Sequence, residues 1–508
     1  MQKNYYASSF FWSTLQRVLN ALLGFVSVPI LLGFYGKAEY GILAIATACN
    51  GYMHLLDLGM NIGAVRYYAQ WRSTGDNQLI NHVARTNITF YLLISIINIV
   101  CLALLAIWGE SFFSINHEQF QLLRCCLLSL CFFSPMAWVS TVFNQLLVAD
   151  KRIDYTMKVQ CVQTFLKGLL IVVAILGQLS LSYYFFFLTM VLSILFVPYS
   201  IKCLNLDLID SLKPAIYWKE FKVVLTFSLS IFALSLFQAT AGQSRPIILS
   251  VFSSNAAEVV ADYRILEVMP NLIIMIGGQF ATIFLPQASS LVAGKDQKGI
   301  EQFAYKWTVL TSIISNILCF PFIVCASEIL SAYVGIEYRY LSFWLIAWCI
   351  TVLSYIHTTP GNSLILASGK TKLLVVVTGI SCVFSIILNI FLCRFMDVGA
   401  AIVAYFVHVI ITTGLYYVYY YKKEMGLSRW KMLLCFIKPT LCALIVALFV
   451  DVIPFQVESF LWFNERIAYI TLCIVKTLCW LIPYFIFLII FRVIEVDEIL
   501  SVIKLNKK

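Results

Sequence analysis

Apolar stretches of roughly 20 residues, the length of α-helix that crosses the hydrocarbon of a bilayer, recur along this chain almost from end to end. About fourteen can be separated, at 11–33, 39–61, 86–108, 120–148, 157–177, 181–201, 223–251, 258–289, 307–326, 341–367, 372–393, 399–420, 432–453 and 467–491. Hydrophobic residues make up 61% of the 508 and charged residues only 12%, far outside the range of a water-soluble domain. The expected fold is an all-α polytopic membrane protein with about fourteen transmembrane helices. The opening residues, MQKNYYASSFFWST, hold no short apolar run ahead of a small-residue cleavage site, so the first span is expected to be retained.

Loop charges test that reading. With the N-terminus in the cytoplasm, the inward-facing segments collect about two dozen lysines and arginines, whereas the outer loops hold only Lys37, Arg339, Arg394 and Arg466. A missed or invented span would scramble such an asymmetry. Both termini are expected in the cytoplasm, and the net charge of +10 belongs to inner-leaflet loops and calls for no nucleic acid. The longest loops, near 202–222 and 290–306, are about twenty residues each, too short for a soluble catalytic domain, so the chain is not expected to be an enzyme. The sixteen cysteines stand singly in apolar surroundings apart from Cys125 and Cys126, with no CxxC pair. They read as small buried hydrophobes, not as metal ligands or a disulfide framework. No nucleotide-binding phosphate loop is present, and no cofactor or metal is expected.

The chain also repeats itself at an offset of about 218 residues. NQLLVADKR reads against NSLILASGK, so that Asn144, Ala149 and Arg152 fall on Asn362, Ala367 and Lys370. The same offset carries Asn20 onto Gln238 and Gly24 onto Gly242, and one residue less carries PILLGFYG at Pro29 onto PIILSVFS at Pro246. Duplication of a unit of about 200 residues is the expected origin, and in a membrane chain it points to a transporter. The expected division is a six-helix lobe at 1–205, a second at 206–425, and two additional helices with a cytoplasmic tail at 426–508. An even number of helices per lobe makes the two repeats parallel, related by an axis along the membrane normal.

PILLGFYGKAEYG at 29–41 and LLDLGMNIGAVRYYAQWRSTGD at 55–76, with VADYRILEVMPNL, FLPQASSLVAGKD and ILASGKTK further on, resemble bacterial polysaccharide exporters of the O-antigen flippase type. These belong to the multidrug/oligosaccharidyl-lipid/polysaccharide (MOP) superfamily. The resemblance covers the first twelve helices. It implies two six-helix lobes about a central cavity in the bacterial cytoplasmic membrane, and flipping of a polyprenyl-diphosphate-linked oligosaccharide by alternating access. It also implies membrane lipids, a polysaccharide polymerase and glycosyltransferases of the same pathway as partners. A cation-coupled drug exporter of the same superfamily is the alternative, followed by a membrane polysaccharide polymerase or ligase.

Polar residues inside spans narrow the site, because lipid alone does not tolerate them. Ser13, Gln16, Arg17, Asn20, Gly24 and Ser27 fall on one face of the first helix, and Thr47, Asn50, His54, Asp57 and Asn61 on one face of the second. Arg17 and Asp57 lie at similar depth and are an expected charge pair; packing through small and polar residues is the competing account. The seventh helix carries Gln238 and Arg245 on one face, and the eighth begins with Asp262, Arg264 and Glu267. Arg245 with Asp262 or Glu267 is the expected outer gate, although Arg264 and Glu267 at i, i+3 suffice to neutralise each other. Lys167 lies near the bilayer midplane of the fifth helix, and its fates are a carboxylate partner, neutrality or an anionic ligand. For a diphosphate, Lys167 and Arg17 are the first candidates and Arg245 and Arg264 the next, with Asn20 and Gln238 beside them. Lys438 and Lys476 on the last two helices read as interfacial or packing residues.

Overall fold

A computed structural model describes residues 2–455 and 464–493. Among the described residues every regular element is helical and none is a strand, as a chain of apolar spans requires: in hydrocarbon, backbone N–H and C=O groups must be paired within the segment. Among the described residues eleven helices are long and apolar enough to cross a membrane. The first, Phe11–Asp57, covers two expected spans, and the helices over 223–251 and 258–289 are not among the eleven. Length and composition among the described residues thus give eleven such helices, one of them covering two of the about fourteen expected spans.

Two compact units divide the chain. The first comprises Met1–Arg264 and Ile390–Asp397. It contains α1 (Gln2–Met53), α2 (Met60–Thr74), α3 (Asn77–Trp108), α4 (His117–Ala149), α5 (Ile153–Leu176), α6 (Leu181–Ser193), α7 (Phe196–Asn205), α8 (Trp218–Phe252) and the start of α9 (Ala256–Ala293). Local chemistry sets the boundaries. Gly36, at φ 77° and ψ 169°, breaks α1 between the two expected spans, in a conformation open to glycine because it lacks Cβ. Asp76 caps α3 by accepting from the Leu79 N–H at 3.2 Å. Asn116 and Gln119 form a reciprocal capping box at the start of α4. The core lies where α2, α3, α4 and α8 meet, around Tyr68, Tyr91, Trp138, Phe143 and Phe221.

The second unit, Ile265–Asn389 and Val398–Lys508, contains the rest of α9, then α10 (Gln297–Val324), α11 (Ala326–Tyr333), α12 (Ser342–Ile356), α13 (Thr359–Ser368), most of α14 (Lys372–Met396), α15 (Val398–Leu415), α16 (Arg429–Val452) and α17 (Glu465–Ile490). One core cluster centres on Phe284, Phe303, Tyr416, Tyr420 and Tyr421. The two extra helices pack on α10. Trp480 stacks on Phe320 at 5.3 Å and donates to the Ala443 carbonyl at 3.0 Å, while Asn316 donates to the Tyr484 hydroxyl at 3.2 Å. Lys476, read from sequence as a packing residue, pairs with Glu328 at 2.5 Å.

These units cut the chain elsewhere than the expected repeat boundary at 205/206. Contiguity and duplication are different properties, and α8 packs along α1, α2 and α3 while sharing its sequence pattern with α1. A second departure lies in the expected span 39–61. It breaks after Met53 into a 3-10 turn, His54–Asp57, and resumes at Met60 after Leu58 (φ 52°) and Gly59 (φ 73°). The matching segments NQLLVADKR and NSLILASGK both end helices, α4 at Ala149 and α13 at Ser368, with Lys151 (φ 60°) and Gly369 (φ 69°) turning the chain.

Candidate functional site

In the first unit α1 has two uncovered faces. Leu19, Leu22, Val26 and Ile30 are exposed on one, as lipid contact demands. Arg17, Asn20 and Gly24 are exposed on another, a polar face that lipid alone does not suit. Helix α5 packs on α1 at Gly168, where an added Cβ would lie 3.5 Å from Leu23 Cδ1. On α5 the polar groups around Lys167 are already used. Gln163 donates to the Val191 and Leu192 carbonyls at 3.1 and 2.9 Å, Gln160 to the Tyr199 hydroxyl at 3.4 Å, and Thr164 to the Gln160 carbonyl at 2.9 Å. Lys167 itself is half-buried and has no hydrogen-bond or ion-pair partner among the described residues. Of its three expected fates, pairing with a carboxylate is therefore absent here.

Asp57 is not paired with Arg17. Its carboxylate accepts from the Tyr91 hydroxyl and from the Asn61 N–H at 3.2 Å. The 3-10 turn that interrupts the span brings Asp57 to α3 and away from the α1 stripe. Behind it runs a buried polar chain: Gln145 donates to Tyr91 at 2.9 Å, and Asn87 donates to Gln145 at 2.8 Å and to Tyr68 at 3.3 Å. From Asn87 through Gln145 and Tyr91 one line of donors runs toward the carboxylate, an arrangement that favours an anion. The Asn87 Oδ1 is buried and accepts nothing. Sequence reading missed Tyr91, Gln145 and Asn87. Their signal was present as polar residues inside spans, but helical spacing does not say which of them converge.

The end of α1 expected to face outward is sewn to the α8–α9 junction. Lys37 pairs with Asp262 at 3.0 Å and with Glu258 at 3.8 Å. Arg264 donates to the Thr47 hydroxyl at 3.3 Å. Ser114 donates through its N–H to the Ser250 carbonyl at 3.0 Å and through its hydroxyl to the Val251 carbonyl at 2.7 Å, and its own carbonyl accepts from Ala256. Gly41 permits the approach, since a Cβ there would fall on the Ala257 carbonyl. The expected outer gate set Arg245 against Asp262 or Glu267; the structure adds Lys37, read from sequence only as an outer-loop charge, as a partner of Asp262. Arg245 is buried and donates to the Ala241 carbonyl at 2.9 Å, and Glu267 is half-buried on α9. The side chain of Gln238 lies outside the described residues.

An exposed polar face with a guanidinium on a membrane helix, a half-buried lysine without a carboxylate partner among the described residues and an ion pair between α1 and the α8–α9 junction suit a transporter. The fold agrees, being that of MOP-type transporters. One solved structure, a lipid II flippase MurJ in an inward closed conformation, matches 96% of this chain over 98% of its own, with 15% identity and a TM-score of 0.69. An inward-facing multidrug resistance MATE family transporter of the MOP superfamily matches 78% of this chain and 92% of its own, with 12% identity and a TM-score of 0.64. At such identities the likeness is one of fold. No curated protein matches the chain in sequence. Residues 7–292, more than half of the chain, match the family model described as polysaccharide biosynthesis protein, and the chain belongs to that family.

Proposed function

We propose that this protein is a flippase that moves a polyprenyl-diphosphate-linked oligosaccharide across the bacterial cytoplasmic membrane by alternating access. The observation that carries the reading is Lys167, an ammonium at membrane depth whose neighbours are hydrogen-bonded elsewhere and which has no carboxylate partner among the described residues. An isolated charge there is costly, and a diphosphate supplies the missing counter-ion through charge-assisted hydrogen bonds. Membership of a polysaccharide biosynthesis family and a MOP-type fold support the same substrate class. Arg17, Asn20, Gln238, Arg245 and Arg264 complete the proposed lining for phosphate and sugar. Asp57, Asp262 and Glu267 are the proposed gating carboxylates. Two parallel lobes at 1–205 and 206–425, two further helices at 426–508, about fourteen crossings and cytoplasmic termini are the arrangement this function uses.

In the proposed cycle the Lys37–Asp262 pair and the Ser114 seam close the outer side while the head group enters from the cytoplasm, and they break to release it. Replacing Lys167 by Ala is expected to abolish polysaccharide export at unchanged protein level, and replacement by Arg to preserve part of it. Full export by Lys167→Ala would remove the basis of the proposal. The drug-exporter reading draws its support from Asp57, a carboxylate set in a buried hydrogen-bond chain. It requires ion-driven efflux of a cationic dye that Asp57→Asn abolishes.

A further inference from the structure

A cavity of about 310 Å³ opens in the second unit where α10, α16 and the end of α17 meet. Its walls include Tyr305 and Val309 from α10, Lys431, Leu434 and Lys438 from α16, and Arg492 just past α17. Three cations from two separate segments thus converge on one space, and among the described residues no carboxylate lines it. Lys431 and Lys438 are seven residues apart, two helical turns, and so share a face about 10 Å apart along the axis. Lys431 Nζ stands 5.9 Å from the centre of the Tyr305 ring, and the Tyr305 hydroxyl accepts from the Ser428 N–H at 3.2 Å. None of the three cations has an ion-pair partner among the described residues. Glu301, one turn before Tyr305, is exposed and outside the lining, and its carboxylate accepts from the Tyr305 hydroxyl at the cavity wall.

Between the charges the surface is apolar, with Val309, Leu434 and Val493. Snorkelling accounts for one long cationic side chain reaching an interface. It does not bring three of them around a shared cavity. Cations set among apolar walls at a helix end suit a ligand with a phosphate and hydrocarbon directly beneath it, and basic pockets between membrane helices are sites for anionic lipid head groups.

We propose that this cavity is a binding site for the phosphate of an anionic phospholipid of the phosphatidylglycerol type, in the leaflet where α16 begins and α17 ends. With cytoplasmic termini this is the inner leaflet, whose anionic lipids meet the excess of positive loops. The site is separate from Lys167 and the α1 stripe, and it stands whether the cargo is a lipid-linked sugar or something else.

Native mass spectrometry of the full chain in detergent, titrated with phosphatidylglycerol and with phosphatidylcholine of the same acyl chains, tests the site. Wild type is expected to retain phosphatidylglycerol preferentially. Lys431→Ala, Lys438→Ala and Arg492→Ala are each expected to weaken that retention about five-fold, with Lys438→Arg preserving it and Lys372→Ala, outside the cavity, leaving it unchanged. Four results would overturn the assignment. One is equal retention of the two lipids, and a second is undiminished phosphatidylglycerol binding when all three cations are replaced. Another is full competition by millimolar inorganic phosphate, which makes the cavity a site for the free anion. The last is phosphatidylglycerol binding that appears only when Glu495, Asp497 and Glu498 are neutralised to Gln, Asn and Gln, which makes the chain's own acids the occupant.

Discussion

Lys37 carries one of only four positive charges expected on the outer side, and its ammonium meets Asp262, 225 residues away in sequence. A cation retained against the positive-inside tendency needs a local reason, and that rarity was the one signal of its role. Its partner was not legible, because pairing across 225 residues leaves no periodic trace in a single sequence. Lys37→Ala is predicted to remove about 1.5–3 kcal/mol from the closed seam, the worth of a hydrogen bond to a charged group. Hydrogen exchange should then speed up at Ala256, whose N–H is held by the Ser114 carbonyl, by about ten-fold or more; unchanged exchange would mean that the pair does not hold the seam. At the buried chain behind Asp57 the prediction concerns stability. Gln145→Leu removes the shorter of the two bonds that Asn87 donates and leaves Tyr91 without its donor, a loss of about 1–3 kcal/mol that should lower the midpoint of thermal unfolding in detergent.

Among the elements, α1 shows what apolar length and polar spacing can and cannot reveal. Both determine that residues 11–33 form a helix with one polar face, and α1 has that face exposed at Arg17 and Asn20. The same spacing through Thr47, Asn50, His54, Asp57 and Asn61 suggested an unbroken second helix. A 3-10 turn repeats every three residues and an α-helix every 3.6, so a stripe written at intervals of three and four fits both. The break at His54–Asp57 was therefore hidden, and with it the turn of Asp57 toward Tyr91. Glycines give a sharper test at this scale. Gly41→Ala places a Cβ on the Ala257 carbonyl, whereas Gly24 has nothing within 4 Å. Gly41→Ala is predicted to part α1 from α9, lowering the unfolding midpoint and exposing the α8–α9 junction. Gly24→Ala is predicted to be neutral or to stabilise by about 0.5–1 kcal/mol, the cost of a helical glycine relative to alanine. Equal effects of the two would contradict the packing described for α1.

For the whole molecule, composition alone decided the solvent: a chain with 61% hydrophobic residues is a bilayer protein, and the helices follow from the need to pair the backbone. What the chain moves is decided by a handful of polar groups. Lys167 was visible in the sequence as a charge at depth with no acidic residue beside it in the fourth or sixth span; the structure adds that among the described residues it has no carboxylate partner and that Gln163, Thr164 and Gln160 beside it are bonded elsewhere. The central claim is that this cation takes the diphosphate of a lipid-linked sugar. The direct measurement is translocation of a fluorescent polyprenyl-diphosphate oligosaccharide in proteoliposomes, with and without Lys167→Ala. Wild type is predicted to carry the labelled sugar to the opposite leaflet, where an added quencher reaches it, and Lys167→Ala is predicted to match protein-free vesicles. Translocation at the wild-type rate by Lys167→Ala, or none by wild type under any ion gradient or membrane potential, would contradict the account.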